Sequence, residues 1–102
     1  MTVVSDRVMN NFAEKKVLPD ISDLKGRDLD SLVVVSVVIN TEGAVQSTNL
    51  QEGDPALAQR SLAAAQKWHY KPYILNGHPI SVYTRIRFEY TKEGVEVVVP
   101  KR

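Results

Sequence analysis

Trp68-His69-Tyr70-Lys71-Pro72-Tyr73, then Asn76-Gly77-His78-Pro79-Ile80, then Ser81-Val82-Tyr83-Thr84-Arg85-Ile86-Arg87-Phe88-Glu89-Tyr90 are the stretches that decide the fold. Six of the seven aromatic residues of the chain lie within them. In order they read as the end of an amphipathic helix, a corner at Pro72 that stops it, an Asn-Gly turn and a long strand over residues 80–90. Side chains alternate along a strand, so Ile80, Val82, Thr84, Ile86, Phe88 and Tyr90 share one face and Ser81, Tyr83, Arg85, Arg87 and Glu89 the other. The first face is expected beneath a helix and the second toward water.

Working outward, Asp54-Pro55 offers a capping acceptor followed by proline at the first helical position. The helix it opens carries Leu57, Ser61, Ala64, Ala65 and Trp68 on one stripe, with Leu62 beside it. Ala63, Ala64 and Ala65 permit close approach to a sheet, and Trp68 fills the space at the helix end. Residues 32–39 are rich in β-branched valine without alternation, which predicts a central strand buried on both faces. Asn40-Thr41-Glu42-Gly43 supplies a turn with a glycine able to take positive φ, so residues 44–50 should return as a hairpin arm. Thr91-Lys92-Glu93-Gly94 repeats that logic, and residues 95–99 are expected as a fourth strand ended by Pro100. Near the start, Val8, Met9 and Phe12 at helical spacing predict a first helix over residues 5–16. Residues 19–31 read as a loop or short turn of helix that pins Ile21, Leu24 and Leu29 onto the core. The expected fold class is α+β, a small antiparallel sheet of three to four strands with one main helix and an N-terminal helix on one face. Residues 1–31 form a segment packing on the core of residues 32–99.

The 102 residues, 43% hydrophobic and 25% charged, fit one domain with a single core. Thirteen Lys and Arg against twelve Asp and Glu leave a net charge of +1, which recommends no polyanionic partner. The absence of cysteine excludes disulfides and Cys-ligated zinc. No uninterrupted apolar stretch is longer than Leu32 to Val35, far too short to span a bilayer, and Met1 opens no signal peptide, so any membrane anchor is expected outside this chain.

No constellation points to catalysis or to a cofactor. His69 and His78 lack the paired spacing of a metal site, and the acidic residues sit in turns and caps, without a carboxylate pair. Nothing resembling a nucleophile elbow or a phosphate loop surrounds the serines. Tyr83, Arg85 and Arg87 on one strand face are a pattern that can stack bases and bind phosphates. The near-neutral charge and the mainly core-side aromatics favour an ordinary solvated face over nucleic-acid binding.

Residues 32–90 resemble the C-terminal domain of TonB-type energy transducers. The resemblance rests on a hydrophobic strand ending at Ile39, the turn Glu42-Gly43-Ala44-Val45, and a helix with Leu57, Ala63 to Ala65 and Trp68. Tyr70-Lys71-Pro72-Tyr73, Gly77 and Pro79 then precede the last strand. It implies a periplasmic domain of an inner-membrane-anchored protein that grips an extended segment of an outer-membrane transporter. Contact with inner-membrane motor proteins would run through an N-terminal region not present here. The guest segment would join the sheet at the strand over residues 80–90, giving Ser81, Val82, Tyr83, Thr84, Arg85, Ile86 and Arg87 as the partner-binding residues. The fourth strand would lie beside that strand, to be displaced by a partner, exchanged in a swapped homodimer, or left in place. The alternative is a structural domain of a larger membrane-anchored sensor or peptidase, dimerising through its edge strands.

Overall fold

A computed structural model describes residues 2–24 and 30–99 of the chain. In chain order the elements are β1 (Thr2–Val3), α1 (Asp6–Asn10), β2 (Ala13–Lys15), a short 3-10 turn (Ser22–Leu24), β3 (Asp30–Ile39), β4 (Val45–Glu52) and α2 (Pro55–Gln66). They continue with β5 (His69–Tyr70), β6 (Tyr73–Leu75), β7 (His78–Ile80), β8 (Val82–Thr91) and β9 (Gly94–Val98). Leu29, within the expected loop, and Pro100, the expected stop, lie outside the described residues.

The β-branched run of β3 sits at the centre of the main sheet, antiparallel to β8 on one side and to β4 on the other. Val33 to Val37 are all buried, which is why the run shows no alternation. Its ladder with β8 is continuous from Asp30↔Thr91 to Ile39↔Val82, whereas the ladder with β4 shifts register twice. β9 pairs antiparallel with β8, as the second Gly turn predicts. β1 adds a parallel strand that the sequence reading did not contain, so the sheet has five strands instead of three to four.

α2 begins as expected, with Asp54 Oδ1 accepting the Ala56 N–H at 2.9 Å and Pro55 in the first turn. Leu57, Ser61, Ala64 and Ala65 form its buried stripe over β3 and β4. The helix ends at Gln66, before Trp68 and well before Pro72, with Lys67 as its cap. The reason lies in the following residues: His69 and Tyr70 pair with β2, and the Tyr70 N–H donates to the Gly43 carbonyl at 2.8 Å. Trp68 is nevertheless buried, its ring edge-on to Phe88 at 6.3 Å and its Nε1 donating to the Val17 carbonyl at 2.9 Å.

Two further expectations are corrected. The helix predicted over residues 5–16 stops at Asn10, because residues 13–15 are drawn into pairing with β5 and the Phe12 carbonyl accepts the Lys71 N–H. Tertiary pairing overrides the helical spacing of Val8, Met9 and Phe12, of which Met9 alone is fully buried. The strand predicted over residues 80–90 begins instead at Val82. Asn76 at φ 53° and Gly77 at φ 82° form a two-residue turn that folds β7 back onto β6, so Ile80 pairs with Tyr73. Ser81 lies between the two strands.

Candidate strand-docking edge

β8 presents the alternation read from the sequence. Val82, Thr84, Ile86, Phe88 and Tyr90 are buried, Arg85 is exposed, and Tyr83, Arg87 and Glu89 are half-buried. One edge of this strand is committed along its whole length to β3. The other edge is where an added strand can dock, and the direction of its main-chain groups follows from one bond. The Tyr83 carbonyl accepts the Val4 N–H at 3.0 Å, so Tyr83 points its main chain away from β3. Main-chain direction alternates with the residue, so Arg85 and Arg87 point the same way.

That outer edge is covered in pieces. β1 pairs with Val82 and Tyr83, and β9 pairs from Arg87 to Thr91. Neither strand reaches Arg85. α1 crosses the interval, and Asp6 Oδ2 accepts from Arg87 Nε at 2.8 Å. Ser5 caps this short helix, its side chain accepting the Val8 N–H. Beside the crossing lies a small cavity lined by Asp6, Asn10, Tyr70, Arg85, Arg87 and Val98. The Asn10 Oδ1 is buried there without a hydrogen-bond partner. Burial pushes the Tyr70 hydroxyl well above the ordinary tyrosine range, and the Asp6 charge adds to that shift. The site holds polar groups and an ion pair without a nucleophile and base in contact.

Of the seven residues expected at the docking site, the structure brings Val82 to Arg87 onto one strand and leaves Ser81 outside it. Tyr83 faces β1 and Arg87 is engaged by Asp6, which leaves Arg85 as the exposed member of the three side chains considered for bases and phosphates. Sequence reasoning missed β1 and Asp6. The only signal was the β-branched triplet Thr2-Val3-Val4, too short to carry a period.

The opposite edge of the sheet belongs to β4, whose outward side chains are mostly polar and exposed. Gln66 covers its start, donating from Nε2 to the Val45 carbonyl at 3.1 Å. His69 Nδ1 lies 3.4 Å from Glu14 Oε1, and His78 sits in the exposed β6–β7 hairpin. Among the described residues no group of three metal-type side chains converges. No helix among them is long and apolar enough to cross a membrane.

The architecture is that of a small α+β domain with one sheet edge under a short, composite cover. The family model for the C-terminal domain of the Gram-negative bacterial TonB protein matches residues 22–91, and the chain belongs to this family. The family is periplasmic and non-enzymatic. No curated protein and no solved structure matches the chain. The matched span runs from the 3-10 turn to the end of β8. It leaves out β1, α1 and β9, the elements that cover the outer edge of β8.

Proposed function

We propose that this chain is the partner-binding module of a TonB-like energy transducer, taking an extended segment of an outer-membrane transporter onto the outer edge of β8. Strand addition draws affinity from main-chain hydrogen bonds and selectivity from alternate side chains, here Tyr83, Arg85 and Arg87 on the outward face. The observation that carries the reading is that the cover of this edge comes entirely from outside the family span and leaves Arg85 unreached. On this reading the domain works in the periplasm as part of an inner-membrane-anchored protein, and its motor contacts are made by regions other than this chain.

Amide NMR of the labelled domain, titrated with peptides copied from the N-terminal plug segments of outer-membrane transporters, tests the proposal. Saturable shifts centred on residues 82–87 are expected. Shifts confined to β4, or none at millimolar peptide, would reject it. The alternative of a dimer joined through edge strands has less support. β4 carries two register shifts and a polar exposed row, both of which discourage flat edge-to-edge pairing.

A further inference from the structure

Residues 2–4 behave toward β8 as an added strand would. Thr2 and Val3 pair parallel with Val82 and Tyr83, and the Val4 N–H extends the pairing to the Tyr83 carbonyl. Val4 is 8% exposed and joins the core, while Val3 at 69% faces solvent, so alternate side chains go in and out. Two residues beyond Val4, the Asp6 carboxylate reaches Arg87 with both side chains largely shielded. All of this lies outside residues 22–91.

The fit is incomplete at one place. The chain turns into α1 after Val4, so no strand partner is supplied to Arg85, and Asn10 in that helix buries an unpartnered amide oxygen at the same spot. A buried polar atom without a partner weakens the joint that contains it. A strand continuing straight along residues 82–86 would instead offer main-chain partners at both Tyr83 and Arg85.

We propose that residues 2–6 are an internal stand-in for the guest strand, closing the edge until an extended segment of the same pattern displaces them. The inference rests on the strand-addition reading and adds what closes the edge before a guest arrives. The guest runs parallel to β8 and seats a β-branched apolar side chain in the place of Val4, whereas the Asp6 carboxylate reaches Arg87 only because the chain turns into α1 there. Only β1 and the start of α1 have to leave. β9 begins its pairing at Arg87↔Val98 and stays in position, so the fourth strand does not mask the site.

The test uses the full chain carrying Thr2→Cys and Val82→Cys, which leaves the outward side chain of Tyr83 in place. These residues are register partners on adjacent strands, about 4.8 Å apart and within the Cα range that a disulfide spans. The chain has no other cysteine, so oxidation locks β1 down and reduction frees it in the same protein. The probe is a synthetic peptide of residues 1–8, Met-Thr-Val-Val-Ser-Asp-Arg-Val, followed by amide NMR. Saturable shifts over residues 82–86 in the reduced form, absent in the oxidised form, are expected. Replacing Asp by Asn in the peptide should weaken binding by roughly two- to fivefold. Equal binding to both forms, or none to the reduced form while the Tyr83 amide exchanges rapidly, overturns the proposal. Transporter peptides separate the two readings. If they bind oxidised and reduced protein alike, strand addition stands and the stand-in falls; if oxidation abolishes their binding and reduction restores it, the stand-in is supported.

Discussion

Gly43 shows how one atom can hold two parts of the chain together. It lies at φ 89°, in the left-handed region, and its carbonyl accepts the Tyr70 N–H at 2.8 Å. A Cβ at this position would overlap the Tyr70 carbonyl oxygen. Neighbouring Asn40 completes the turn, its Oδ1 accepting the N–H groups of Glu42 and Ala44 at 2.9 and 3.0 Å. Gly43→Ala therefore combines backbone strain with a main-chain collision and should destabilise the fold by about 3 kcal/mol or more. Urea unfolding measures this, and a loss below about 1 kcal/mol would show that the approach of Tyr70 is not obligatory. The sequence discloses the turn, because Asn-Thr-Glu-Gly is turn chemistry. It does not disclose Tyr70, since nothing local to residues 40–43 records which distant strand will pass beside them.

At the scale of elements, α2 is tied to β8 by a buried hydroxyl pair. Ser61 Oγ donates its single hydrogen to the Leu57 carbonyl at 2.8 Å, so the Tyr90 hydroxyl is the donor in their 2.6 Å contact. Ser61→Ala leaves Tyr90 without this acceptor and should cost about 1–3 kcal/mol. Adding Tyr90→Phe should cost less in the Ser61→Ala background than in the native chain. A double-mutant cycle by chemical denaturation reads the coupling, and strict additivity would deny the pair any role. The stripe that positions Ser61 was readable because a twelve-residue helix repeats its period several times. The fate of residues 5–16 was not, since five residues give barely one turn and the Ala13–Lys15 pairing with β5 depends on where α2 ends. For the same reason Trp68 reaches the core as its pattern predicts, but two residues beyond the end of the helix.

For the whole molecule, the core is bounded by phenols that must stay protonated. Burial raises the hydroxyls of Tyr70 and Tyr90 above their ordinary value. The folded state thus keeps protons that the unfolded chain releases above about pH 10. The associated stability is intact below that value and is lost as the pH rises through the higher folded values. Denaturation midpoints should be level from pH 8 to 9 and fall between pH 10 and 12, more steeply for the native chain than for Tyr70→Phe; parallel curves would contradict the assignment. The arrangement of the sheet was largely readable, with β3 central and β8 alternating, because long runs announce both burial and facing. The cover over the outer edge was only half readable. β9 follows a glycine turn, whereas β1 is a parallel strand of two residues whose partner is eighty positions away. The continuous ladder between β3 and β8, joining Ile39 to Val82 and Asp30 to Thr91, also sets the kinetics of assembly. Its first bond closes a long loop, so folding belongs to the millisecond-to-second range of non-local β topologies, about a thousand times slower than the β6–β7 hairpin. Until β8 arrives, the valine run of β3 has only β4 beside it, and a newly made chain is most prone to associate with its own copies during that interval.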